Sequence, residues 1–143
     1  MLFKLKRLKE NNSKEVVELL KEYRETTFSE EKIKEILKNY PSVGAYNNEK
    51  LIGFCYTTTF SPDILEIYNL FISKQYRNFN IGSKLLEEIT VQAKLNNYKG
   101  MILSNSLLYK TKEPKLKAKD FYEKNGFKLA LTTGNTDIFV KNI

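Results

Sequence analysis

Between the apolar run ILEIYNLFI, residues 64 to 72, and an amphipathic stretch that begins at Ser83 lies YRNFNIG, a short polar connection whose residue types suit an anion. Several N–H groups of such a turn can converge on one charged group, and a helix N-terminus starting there adds its positive dipole end. Gly82 would admit a phosphate to the backbone with no Cβ in the way, and Asn80 belongs to the few non-glycine types that tolerate a left-handed conformation. Arg77 supplies charge nearby. The same string also reads as an ordinary polar connection with a glycine for its turn. Within the preceding apolar run stands Glu66, and a carboxylate buried there is costly unless it has a task or a partner.

Residue types that are missing exclude whole chemistries. The chain has no histidine and one cysteine, Cys55, so the usual zinc spacings, a Cys-His pair and a Ser-His-Asp triad are all unavailable and no metal is expected. Cys55 lies in the apolar run IGFCYTTTF and reads as a small core residue, because a reactive thiolate needs a polar or cationic setting. A formal charge of +7 leaves nucleic acid, a membrane surface and a phosphorylated cofactor open as anionic partners. Lysines are scattered and mixed with glutamates, as on solvated helix faces, and only KTKEPKLKAK, residues 110 to 119, concentrates charge. That stretch reads either as a solvated loop or as a phosphate contact. No segment combines clustered arginines with aromatics in the manner of a nucleic-acid stacking platform, so no nucleic acid is expected.

The elements that must position these residues are legible in the pattern. A chain of 143 residues fits one domain, residues 1 to 143, with enough core to need no staple. Its apolar runs are too short to span a bilayer, and the opening MLFKLKRLKE lacks an h-region, so the expected location is cytoplasmic, away from membranes. Residues 2 to 8 alternate like a half-buried strand. Ser13 and Ser29 can cap two helices, the second ended by Pro41. Residues 42 to 46 and 51 to 60 form a hairpin around NNEK, residues 64 to 72 a further strand, and residues 83 to 95 a helix followed by the strand MILSNSLL. That strand-loop-helix-strand unit implies parallel pairing. A short helix over residues 118 to 124 and a closing hairpin of FKLALTT and TDIFVKN complete the chain.

Arg77-Asn78-Phe79-Asn80-Ile81-Gly82 resembles the acetyl-CoA pyrophosphate loop of the GNAT superfamily of N-acetyltransferases, whose pattern is Arg or Gln, two residues, Gly, one residue, then Gly or Ala. Asn80 stands where that pattern has its first glycine. A second string, AKDFYEKNGF at residues 118 to 127, resembles the superfamily's Ala-x-x-Phe-Tyr-x-x-x-Gly-Phe signature, and LFIS at residues 70 to 73 resembles the strand end leading into the loop. Two motifs in order, with the element order β-α-α-β-β-β-α-β-α-β-β, extend the resemblance over essentially the whole chain. It implies an α/β (α+β) fold with a mixed sheet of six to seven strands flanked by about four helices.

The resemblance further implies acetyl-CoA as cosubstrate and a primary amine as acceptor, joined in one complex by direct attack. Leu70, Phe71 and Ile72 would line the pantetheine arm in a gap between the fourth and fifth strands, and Arg77 through Ser83, including Asn78, Phe79 and Ile81, would hold the pyrophosphate. The Ile72 N–H is the implied oxyanion donor and Tyr122 the acid that protonates the departing thiolate, or else a core residue. Glu66 is the candidate base, with Tyr68, Asn69 or a water chain as substitutes; it would otherwise face solvent or pair with a lysine. Ser104 and Asn105 would line the acceptor side or begin a loop. Lys115 replaces an asparagine that many relatives carry, and it, Lys117 or Lys119 would approach the anionic end of coenzyme A. Residues 12 to 40 would shape the acceptor site, with a possible acidic patch from Glu18, Glu22, Glu25, Glu30 and Glu31. A monomer or homodimer is expected. The competing expectation is a module that keeps this fold and binds coenzyme A or a protein without catalysis.

Overall fold

The computed structural model describes residues 1–23, 29–106 and 118–143. Seven strands form one sheet: β1 (Lys4–Lys6), β2 (Ser42–Asn47), β3 (Lys50–Ser61), β4 (Ile64–Ile72), β5 (Gly100–Ser106), β6 (Lys128–Thr132) and β7 (Thr136–Asn142). Their order is β1-β2-β3-β4-β5-β7-β6. All neighbours run antiparallel except β4 and β5, as expected of two strands joined through a helix. The helices are α1 (Ser13–Tyr23), α2 (Glu30–Asn39), α3 (Ile81–Leu95) and α4 (Lys119–Lys124). The mixed seven-stranded sheet with four helices is the fold expected from the sequence.

Two cores lie on opposite faces of the sheet. On one face α3 sends Ile81, Leu85, Leu86, Ile89 and Ala93 onto Val43, Ile52, Cys55, Leu65 and Ile67, with Phe121 and Tyr122 of α4 packed at its border. The helical spacing of those α3 residues is the periodicity that identifies the helix in the sequence. On the other face α1 and α2 cover Phe54, Tyr56 and Phe71 through Val16, Leu19, Leu20, Ile33, Ile36 and Leu37. Cys55 is fully buried among apolar neighbours, and that burial drives its thiol well above the ordinary cysteine range, so it is inert core.

Ser29 caps α2 through its side chain, which accepts from the Lys32 N–H at 3.3 Å. Ser13 does not cap α1. A 3-10 turn at Glu10–Asn12 precedes it, and Ser13 is the buried first residue of the helix. The first strand is also shorter than its alternation suggests, because only Lys4–Lys6 find partners on β2.

Candidate active site

Pairing between β4 and β5 is confined to Ile64↔Gly100, Leu65↔Met101 and Glu66↔Ile102. Beyond Glu66 the two strands part. Just past this point Tyr56 of β3 faces Asn69 while Thr57 faces Ile67, so Tyr68 is an extra residue in β4, a β-bulge. A bulge bends its strand and raises the local twist, and here it falls where β4 leaves β5. The extra residue also shifts the alternation: Leu65 and Ile67 face the α3 core before it, Leu70 and Ile72 after it.

The open edge of β4 follows from its register. The Ser73 N–H donates to the Ile52 carbonyl at 2.8 Å, so Phe71 and Asn69, two and four residues back, also direct their backbone groups at β3. Leu70 and Ile72, which sit between them, therefore turn their N–H and C=O groups toward the gap. Arg77 takes one of these, its Nε donating to the Ile72 carbonyl at 3.1 Å. The Leu70 N–H and C=O and the Ile72 N–H remain directed at the opening, a donor-acceptor ladder into which an extended amide-bearing chain fits.

A cleft of about 160 Å³ occupies the gap, lined by Glu66, Leu70, Ser104, Asn105, Tyr23 and Tyr122 among others. Ile72 is not among its lining residues, so of the two outward N–H groups that of Leu70 is the one placed beside Glu66 and Tyr122. The cleft has two faces. Glu66 pairs in register with Thr58, which alternates with Phe54 and Tyr56, and so stands on the α1/α2 face; Tyr122 packs with the α3/α4 core. By the same alternation Ser104 opens on the Glu66 face and Asn105 on the Tyr122 face.

Tyr122 is held by three aromatic neighbours: Phe121 at 5.2 Å, Phe127 at 5.8 Å and Phe139 at 5.2 Å between ring centroids. Burial, followed by the nearby Cys55 and Tyr23, raises its phenol well above the ordinary tyrosine range. Among the described residues none hydrogen-bonds its hydroxyl. Glu66 is half-buried, and desolvation raises its carboxyl above the usual range. Among the described residues it has no salt-bridge partner, so no described lysine neutralises it. Asn69 instead is engaged, its Nδ2 donating to the Tyr56 hydroxyl at 3.1 Å.

At the mouth, α3 begins with Asn80 in the left-handed conformation, φ 63°, and Asn78 shares it at φ 69°. Asn80 makes no side-chain cap and the first turn holds no acid, so the N–H groups of Ile81, Gly82 and Ser83 lack an internal acceptor. Phe79 is 46% exposed beside them. These features fit a diphosphate. Gly82 also serves a contact that its sequence does not announce. A Cβ there would meet Cζ of Phe121 at 3.0 Å and Cε1 at 3.2 Å, so its bareness lets α3 approach α4. Gly82→Val is expected to push Phe121 aside and to destabilise the fold by about 1–3 kcal/mol through the overpacked α3–α4 contact; an unchanged unfolding midpoint would show that the contact is dispensable.

The sequence did not reveal how the loop is tied to α1. Ser73 Oγ donates to Glu22 Oε1 at 2.9 Å, Phe71 stacks on Tyr23 at 4.9 Å, and the Arg77 guanidinium carbon lies 5.5 Å from the Phe71 ring centroid. The proposed acidic patch is correspondingly occupied. Glu22 is bound to Ser73, Glu18 pairs with Lys21, and Glu30 and Glu31 pair with Lys34. Lys119 pairs with Glu123 at 3.9 Å. Glu25, Lys115, Lys117 and most of the basic run 110 to 119 lie outside the described residues.

This split sheet with a helix N-terminus at its mouth is the architecture of the GNAT acetyltransferases. PaiA N-acetyltransferase from Thermoplasma acidophilum, solved in complex with coenzyme A, superposes with a TM-score of 0.76 over 100% of both chains at 21% identity. The ribosomal-protein-S18-alanine N-acetyltransferase from Escherichia coli gives 0.81 over 99% of this chain and 94% of its own at 16% identity, and a GNAT-family acetyltransferase from Staphylococcus aureus Mu50 gives 0.80 over 99% of each at 18%. The family model described as Acetyltransferase (GNAT) domain matches residues 39–129, and the chain belongs to that family. No curated protein sequence matches it. Among the described residues no cluster of histidine, cysteine or acidic side chains could hold a metal, and no helix is long and apolar enough to cross a membrane.

Proposed function

We propose that the protein is an acetyl-CoA-dependent N-acetyltransferase acting on a primary amine. The observation that carries this reading is the gap between β4 and β5, which presents outward backbone groups with Glu66 on one face and Tyr122 on the other. Acetyl-CoA supplies the activated acetyl thioester. The β4 edge at Leu70 and Ile72 holds the pantetheine arm by strand-like pairing, and the start of α3, from Asn78 to Ser83 with Arg77 beside it, holds the pyrophosphate. Phe71 does not line that arm. Its ring turns to the opposite core, where it backs Arg77 and Tyr23.

Glu66 accepts a proton from the ammonium on the α1/α2 face, directly or through water, freeing the nitrogen to attack. The new C–N bond forms as negative charge gathers on the thioester oxygen, where an outward N–H of β4 stabilises it. Leu70 is the better placed donor, with the Ile72 N–H as the next along the edge. As the C–S bond breaks, Tyr122 gives its proton to the sulfur from the other face. Holding both reactants in one gap supplies the near-attack geometry that replaces a covalent intermediate.

Calorimetric titration with acetyl-CoA and with coenzyme A, followed by transfer assays on a panel of amines, tests the reading. One-site saturable binding with transfer is expected. Binding without transfer to any amine would favour a non-catalytic module, and no binding by folded protein would overturn the cosubstrate itself.

A further inference from the structure

The face of the sheet on which Glu66 stands is covered by α1 and α2 only over its first half. Past β4 it continues across β5, β7 and β6, and among the described residues neither core covers it there: Ile102, Ile138, Val140 and Leu131 belong to neither cluster. Val140 is 36% exposed and Leu131 53%. The registers place Glu66, Ile102, Val140 and Lys128 in one cross-strand row. Directly opposed residues share a face, so this row is a continuous track from carboxylate to lysine with apolar side chains between. Three strand spacings make it roughly 14 Å long, the reach of about four extended residues. A shallow groove of about 460 Å³ borders the same track at Ile102, Val140 and Lys128.

Resting on the amine-acetylation reading, we propose that the acceptor is the N-terminal segment of a polypeptide, laid across the open sheet face with its amine at Glu66, apolar side chains over Ile102 and Val140, and an acidic residue near position four or five at Lys128. A small amine would leave the track empty, since its whole length is shorter than the row. A second copy of this chain would bring the same +7 charge to a lysine-tipped face, whereas an acidic segment complements it. A polybasic acceptor meets the same repulsion. The α-amine of a peptide also suits the site chemically, because its ammonium, with a reference pKa of ~7.7 to 8.0, is more acidic than that of a lysine side chain and gives up its proton to Glu66 more easily.

The test uses the full chain saturated with acetyl-CoA and three acceptors: a nine-residue peptide beginning Ala-Val-Leu-Glu-Glu, the same peptide with both glutamates replaced by lysine, and alanine amide. The acidic peptide is expected to exceed both others in kcat/KM by at least tenfold. Lys128→Glu should invert the preference between the two peptides, and Val140→Asp should raise the peptide KM about tenfold at constant kcat. Neither should change the KM for acetyl-CoA. Alanine amide matching the peptides, or a peptide preference untouched by Lys128→Glu, would overturn the proposal while leaving the enzyme reading intact. Transfer to none of the three by protein that binds acetyl-CoA would overturn the proposal, and the wider amine panel would then decide the enzyme reading. Dissociation of a dimer by Val140→Asp with unchanged peptide kinetics would give the face to a second copy instead.

Discussion

Replacing Tyr122 by phenylalanine is expected to lower kcat about a hundredfold, within the 10²–10⁴ range typical of a positioned general acid, while acetyl-CoA affinity stays within about twofold. The substitution removes one oxygen and keeps the ring, so the packing on Phe121, Phe127 and Phe139 survives and a lower rate cannot be assigned to a collapsed α4. The raised pKa holds the proton on the oxygen but also makes the phenol a weaker donor, so the hundredfold figure sits at the low end of that range. A phenol pushed above its usual value stays protonated through neutral and mildly alkaline pH, so the wild-type rate should show no alkaline loss from Tyr122 below pH ~10. Steady-state kinetics beside calorimetry separate the two effects, and an unaltered kcat would remove Tyr122 from the acid role.

Glu66→Gln should cost a similar factor, roughly a hundredfold in kcat/KM at pH 7, and its pH dependence is the sharper signature. Desolvation raises the Glu66 carboxyl, so the group is protonated and useless as a base below that raised value and active above it. The wild-type rate should therefore climb with pH through a midpoint above the ordinary carboxylate range, and the variant should lack that limb. At high pH the amine deprotonates unaided, and the gap between the two proteins should close. The sign for stability runs the other way from a salt-bridged acid. Between the unfolded and the raised folded pKa the native state binds more protons, so stability falls as pH rises through that window, and the neutral amide should not destabilise the protein. A constant ratio of the two rates from pH 6 to 10 would show that Glu66 is not the base.

Much of this arrangement was legible because it is local. The α3 stripe announces its period, Ser29 announces a cap, and an asparagine before a glycine-containing helix start announces the left-handed residue that Asn80 becomes. Contacts between distant segments were not legible. Nothing in the spacing of Gly82 says that Phe121, almost forty residues away, lies against it, and no period links Glu22 to Ser73. That Leu70 lines the cleft and Ile72 does not also needed the structure. Both alternate outward, and only the position of the cleft separates them. The uncovered face was hidden for a related reason: TDIFVKN alternates like any half-buried strand, and alternation says that one face is apolar without saying whether anything covers the other.

Tyr68 makes the gap between β4 and β5 a matter of chain length. Without that residue Ile67 would run directly into Asn69, and the remaining sequence would still send Leu70 and Ile72 toward β5. A strand so shortened could straighten, zip its outward groups to Leu103 through Ser106, and complete the ladder that now stops at Glu66. Deleting one exposed tyrosine would then yield a more regular sheet with no cleft between β4 and β5, trading the gap for main-chain hydrogen bonds.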